Sequence, residues 1–157
     1  MKMIEYYKEV VFDNYFNFST RARRSEYWYF ILANFIIAII LTIIDKILGI
    51  GILNNVYNIA VFVPTLAVAV RRLHDIGKSG SLILIFYALI GLLLLTMTLS
   101  GMTSPGIGFF GLLMVILGFS IWMIVLFCRE GELGENNYGL DPKNEIDEID
   151  EIGTIEA

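Results

Sequence analysis

Three stretches of this 157-residue chain contain no Asp, Glu, Lys or Arg: residues 27–44, 47–70 and 79–128. Runs of that length are foreign to a soluble domain, and 57% hydrophobic against 17% charged residues agrees. The single cysteine, Cys128, excludes an intramolecular disulfide and cannot alone make a cysteine-based zinc site. It is expected to pack at the end of the last apolar run. The single histidine, His74, cannot alone supply a usual zinc ligand set, and neither a metal nor a cofactor is expected. The first 26 residues lack an apolar core ahead of a small-residue cleavage site, so the first apolar run is expected to act as an uncleaved anchor. Gly77-Lys78-Ser79 lacks the upstream glycine and preceding strand of a phosphate-binding loop. A net charge of −5 and the absence of a reading module argue against nucleic acid. No charge lies near the middle of any apolar run, which argues against proton-coupled transport.

What is present is hydrocarbon-spanning length. A bilayer core of about 30 Å needs roughly 20 apolar helical residues. Spans are predicted near 27–44, 52–70, 82–100 and 107–128. The run of about 50 residues after Lys78 would form a single rod of roughly 75 Å. It is therefore expected to fold back at Ser100-Gly101-Met102-Thr103-Ser104-Pro105-Gly106. No period-two pattern of a β-barrel is present, and lipid satisfies no backbone hydrogen bond. The fold class is an all-α integral membrane protein with four transmembrane helices. Ile4, Tyr7, Val11 and Tyr15 recur at helical spacing, so a short amphipathic helix is expected along the interface within residues 1–26. Residues 27–128 form the membrane domain, 129–142 a turn motif, and 143–157 an acidic, solvated tail.

Orientation follows from the basic residues. Lys2, Lys8, Arg21, Arg23, Arg24, Arg71, Arg72, Lys78, Arg129 and Lys143 fall on one side and only Lys46 on the other, ten against one. Both termini are therefore expected in the cytoplasm. Tyr27, Trp28 and Tyr29 mark the aromatic boundary of the first span. Arg71 and Arg72 stand where the second span reaches the headgroups, and with Lys78 they are expected to meet anionic lipid by snorkelling. Glu26, at matching depth, is placed to pair with either arginine and fix how the two helices dock. Inside the membrane, Asp45 with Asn54, Asn55 and Asn58 gathers near the outer boundary, as a solute vestibule or as interhelical hydrogen bonds. Pro64 is expected to kink the second span. Gly111 and Gly118 share one face of the fourth, favouring close helix contact.

Three polar segments carry the remaining chemistry, and the topology brings all three to one side. The first runs from Phe18 to Trp28 with Arg21, Arg24 and Glu26. The second runs from Arg71 to Gly80 with Arg72, His74 and Asp75. The third runs from Gly131 to Pro142 with Asn136, Tyr138 and Asp141. His74 and Asp75 have the residue types of acid–base catalysis, but followed by Gly77, Ser79 and Gly80 they read first as a tight interhelical turn, with Asp75 accepting backbone hydrogen bonds. Asn136, Tyr138, Gly139 and Asp141 read as a folded turn beneath the bundle.

These segments resemble the domain of unknown function 805 family of small bacterial inner-membrane proteins. The resemblance rests on Phe18, Arg21, Arg24, Glu26 and Trp28; on residues 71–75 with Gly77, Ser79 and Gly80; and on Gly134, Asn136, Tyr138, Gly139, Asp141 and Pro142. Thr20, Ser81 and Leu140 depart from the family's Gly, Trp and Pro. The resemblance implies a multi-pass protein of the bacterial cytoplasmic membrane and implies no reaction. From the residues, the preferred function is a non-enzymatic membrane adaptor or scaffold for an unidentified protein or a lipid. A small oligomeric transporter or channel, built from several copies, is the alternative. A lipid-modifying enzyme centred on His74 and Asp75 comes third.

Overall fold

Inside lipid each backbone amide must find a partner within its own segment, so uncharged runs become helices. The computed structural model describes residues 2–100 and 107–143. Helix α1 (Lys2–Lys8) continues into a π-helical turn (Glu9–Asp13), followed by α2 (Arg24–Leu48), α3 (Leu53–Asp75), α4 (Ser81–Ser100) and α5 (Ile107–Cys128). Helices α2 to α5 are each long and apolar enough to cross a membrane. The predicted reversal at 101–106 and the acidic segment from residue 144 lie outside the described residues.

Helices α2 and α3 outrun their uncharged spans. Helix α3 continues through Arg71, Arg72, His74 and Asp75, so the turn expected at His74 and Asp75 begins later, at Ile76. Gly77 adopts φ +66°. Its amide donates to the His74 carbonyl (3.0 Å), and that of Lys78 to the Leu73 carbonyl (2.9 Å), a Schellman ending. Charge does not end the helix because each charged side chain of its last turns is answered from a neighbouring segment, as described below.

The opposite turn is built on Asp45. Its carboxylate accepts the amides of Leu53 and Asn54, both at 3.1 Å. An acid on one helix thereby caps the N-terminus of the next. Helix α3 also runs through Pro64, which lacks the amide that would have met the Ala60 carbonyl.

The buried core gathers at the basic end of the bundle. Ala22, Tyr27 and Phe30 meet Val68, Leu73, Ile76, Ile83, Met123, Leu126 and Phe127 there. Tyr27, expected at the aromatic boundary, packs inward against Phe127 at 4.5 Å between ring centroids, while Trp28 and Tyr29 stay exposed. Farther along, Ile39, Ile43, Ile47, Ile59, Leu95, Leu99 and Met114 are exposed, as lipid-facing residues should be. Two sequence expectations fail at α5. A Cβ placed on Gly111 or Gly118 meets nothing within 4 Å, because the helix packs instead through Ile116, Met123, Leu126 and Phe127. Cys128 is exposed rather than packed.

Helix α1 lies against α2 and α3. Tyr6 stacks on Tyr29 and Tyr7 on Phe30, and a hydroxyl chain links Tyr7, Tyr57 (3.2 Å) and Asn34 (2.6 Å). The residue wholly buried is Val10, outside the predicted stripe. The π turn, closed by the Asn14 amide on the Glu9 carbonyl (2.9 Å), carries one residue more than an α turn and rotates the register.

Candidate functional site

A helix end leaves its last carbonyls without helical partners. At the basic end, α3 and α5 both terminate, and the polar segments supply the missing donors. The Glu132 amide reaches the Asp75 carbonyl (2.8 Å) and Asn136 Nδ2 the His74 carbonyl (3.0 Å), while the Ala22 amide ties to the Arg71 carbonyl one turn further back (3.1 Å). For α5 the donors are guanidiniums. Arg72 Nε reaches the Phe127 carbonyl (3.2 Å), its Nη2 the Arg129 carbonyl, and Arg24 Nη1 the Cys128 carbonyl (3.4 Å). Positive charge at a helix C-terminus also favours the macrodipole.

Asp75 is the hub of this cap. One carboxylate oxygen takes Arg21 (Nη2 at 3.0 Å, Nε at 3.1 Å), and the other takes Nη1 of Arg72. Arg21 continues outward to the carbonyls of Gly134 (2.6 Å) and Glu132. One buried carboxylate thus holds together the segment before α2, the end of α3 and the segment after α5. Removing these ions from water costs several kcal/mol each, and the carbonyl acceptors ringing the two guanidiniums offset part of that. Gly131 is required beside them, since a Cβ there would stand 2.2 Å from Asp75 Oδ2.

Arg71 and Arg72 are 2% and 0% exposed. Snorkelling to the headgroups, expected from sequence, is not what these side chains do; they turn into the protein because carboxylates wait there. Arg72 pairs with Asp75, and Arg71 lies 2.7 Å from Glu26, the interhelical pair anticipated between the first and second spans. Lys78 is exposed. His74 is buried, with its ring stacked on Tyr138 at 3.8 Å and 6° between planes. Its Nδ1 lies 3.3 Å from the Thr20 carbonyl, so that nitrogen carries the proton. Asp75 accepts from guanidiniums through its side chain, rather than from the turn amides expected of it.

The last segment is held by Asp141, which accepts the amides of Lys143 (2.9 Å) and Gly134 (3.2 Å). Burial opposes ionisation of this carboxyl, but the two amides and Arg21 outweigh it and hold the pKa below the ordinary carboxylate value. Asn136 Oδ1 takes the Tyr138 amide at 2.9 Å, completing an Asx turn. Of the residues singled out from sequence, Arg21, Glu26, Arg71, Arg72, His74, Asp75, Asn136, Tyr138 and Asp141 meet in this cap. Arg24 stays at its exposed rim. Sequence reasoning missed Arg23, whose Nε lies 2.8 Å from the Pro142 carbonyl, and also missed Glu9 and Tyr6. The last two line a cavity of about 360 Å³ with Arg23, Glu26 and Arg71. The run Arg21-Ala22-Arg23-Arg24 was the available signal for Arg23; nothing local marked Glu9.

The same segments carry the likeness to known proteins. A family model described as "Protein of unknown function (DUF805)" matches residues 15–140. The inner membrane protein YhaI of Escherichia coli K12 is 41% identical over 135 residues, covering 85% of this chain and 92% of that protein. The inner membrane protein YhaH of the same organism is 38% identical over 143 residues, covering 86% and 94%. No solved structure gives a significant match. With the family model spanning most of the chain and four helices of membrane-crossing length, this inner-membrane protein belongs to the DUF805 family.

Proposed function

We propose that this chain is a non-enzymatic membrane scaffold whose cytoplasmic cap binds rather than reacts. The observation that carries the reading is the occupancy of Asp75: both its oxygens are held by guanidiniums that also hold the Glu132 and Arg129 carbonyls of the segment after α5. A general base must be free to take a proton from substrate, and both oxygens of this carboxylate are already engaged by guanidiniums. His74 has its Nδ1 proton on the Thr20 carbonyl and one ring face covered by Tyr138. Such a network makes a preformed surface, and the ten-to-one basic bias supports a cytoplasmic side for it. On its outside Leu133 and Leu140 are 87% and 60% exposed, large apolar side chains of the kind that seat a protein partner.

Photo-crosslinking amino acids at positions 133 and 140 of the full chain in living cells test this. A discrete adduct that disappears in Asp75→Asn, with membrane insertion retained, is the expected result. Absence of an adduct from both positions overturns the scaffold reading.

A further inference from the structure

Arg71 differs from the other buried arginines of the cap. Arg21 and Arg72 direct their donors at carboxylate and carbonyl oxygens, whereas Arg71 Nε and Nη2 are fully buried without an aligned hydrogen-bond acceptor. Glu26 Oε1, though 2.7 Å from Nη2, likewise lacks an aligned donor. Unmet buried donors on a charged group are costly, so they are rare without a purpose. Both residues line the cavity of about 360 Å³ between the π turn, the segment before α2, the end of α3 and residues 138–142.

The lining carries both signs. Arg21, Arg23 and Arg71 bring guanidiniums, and Glu9 and Glu26 bring carboxylates. Arg21 is matched by Asp75 and Arg71 stands beside Glu26, which leaves Arg23 and Glu9 as the cation and the anion outside those pairs. A purely anionic ligand would meet a carboxylate, and a purely cationic one a guanidinium. A ligand with both charges satisfies each, its phosphate oxygens taking planar guanidinium donors and its ammonium the carboxylates. The cavity also lies at the ends of two membrane-spanning helices, the level of lipid headgroups.

We infer that this cavity binds a zwitterionic phosphate ester of the phosphoethanolamine class, as the free ester or as the headgroup of an amine-bearing phospholipid. The inference rests on the cap being a preformed binding surface, as proposed for it above, but needs no protein partner.

Calorimetric titration of the full chain in a maltoside micelle, which carries no phosphate, gives the first arm. Phosphoethanolamine should bind saturably with one site per chain, and inorganic phosphate at least tenfold more weakly. Thr20→Trp fills the cavity from its exposed rim while leaving every charge in place, and should weaken phosphoethanolamine at least tenfold; Glu9→Gln should also weaken it. Native mass spectrometry from mixed bilayers gives the second arm. Selective retention of phosphatidylethanolamine over phosphatidylglycerol, lost in Thr20→Trp, identifies the headgroup as the source, whereas binding in the first arm alone identifies the free ester. Inorganic phosphate binding as tightly as the ester removes the zwitterionic assignment. No saturable ester binding together with no lipid selectivity overturns the site altogether. If that happens while the adduct at Leu133 or Leu140 persists, the pocket fails and the scaffold stands; if the ester binds and no adduct forms, the pocket stands and the scaffold fails.

Discussion

The hydroxyl of Tyr15 lies 2.6 Å from the carbonyl oxygen of Ala60, the carbonyl that Pro64 leaves without a helical partner. A residue of the N-terminal segment therefore repairs a break forty-nine positions downstream in α3, as a proline within a membrane helix requires. Tyr15→Phe should destabilise the protein by about 0.5–1.5 kcal/mol, the net worth of one such bond. In a Pro64→Ala background the Ala60 carbonyl regains its own helical donor, so the same Tyr15→Phe change should cost measurably less. A double-mutant cycle on unfolding in micelles reads the coupling, and a coupling of zero would show that Tyr15 does not serve the proline break.

Gly131 and Asp75 form a second constraint. A Cβ at 131 would come within 2.2 Å of Oδ2, and that oxygen cannot yield because Arg72 holds it while Arg21 holds its twin. Gly131→Ala should thus cost more than an overpacked methyl alone, towards the upper part of the usual range of about 1–3 kcal/mol. Asp75→Asn should cost about 3–5 kcal/mol, since it strands two buried guanidiniums. Limited proteolysis after Cys128 distinguishes these from a folding failure: cleavage within residues 129–143 should accelerate while the four spans remain inserted. Unchanged cleavage in Asp75→Asn would mean that the carboxylate is not the hub.

Much of this was legible from residue patterns, and what was not has identifiable physical causes. Uncharged length alone set four helices, because lipid allows nothing else. That Glu26 would pair with one of the two arginines followed from matching depth at the ends of two antiparallel spans; that the partner is Arg71 came only from the structure. The extension of α3 through Asp75 did not show, because a charged run ends a span in a hydropathy reading yet continues a helix when partners arrive from distant segments. Arg21, fifty-four residues before Asp75, is such a partner. The same blindness explains Arg71 and Arg72: position relative to the bilayer suggested snorkelling, and only tertiary contact reveals that carboxylates draw them inward. Val10 was missed because the π turn breaks the 3.6-residue period on which the stripe was counted.

Two carboxyls outside the spans give opposite pH signatures. Burial raises the pKa of Glu9, partly offset by Arg71 and raised further by Asp13. A raised carboxyl disfavours the folded state when ionised, so its penalty is present above the folded pKa and vanishes as pH falls below the unfolded value. Glu9→Gln should therefore raise Tm at neutral pH, with the gain shrinking towards pH 4. Asp141 works the other way. Its depressed pKa contributes stability above the unfolded value that is lost as pH falls through the folded one. Asp141→Ala should lower Tm at neutral pH and approach the parent in acid. Thermal unfolding of both variants from about pH 2 to pH 8 checks the pair, since the Asp141 contribution is lost only below its unfolded value of about 4; a Glu9→Gln gain that grows on acidification would contradict the buried-carboxyl account.

Asp45 decides what the polar residues at the end opposite the cap are for. With Lys46, Asn54 and Asn55 it borders an open depression of about 250 Å³, a shape that suits a solute vestibule. Its two oxygens, however, are already taken by the Leu53 and Asn54 amides. A carboxylate committed to capping α3 is a poor solute ligand, since binding would have to displace both bonds. Asp45→Ala should then cost about 0.5–2 kcal/mol, the usual loss of an N-cap. Asp45→Asn retains one acceptor and should cost less. The vestibule reading expects something different: no comparable loss of stability, and an altered flux of solute in liposomes containing the full chain. Stability loss graded from Asn to Ala, with liposome flux at the protein-free level for parent and variants alike, would place Asp45 among the residues that hold the helices and not among those that conduct.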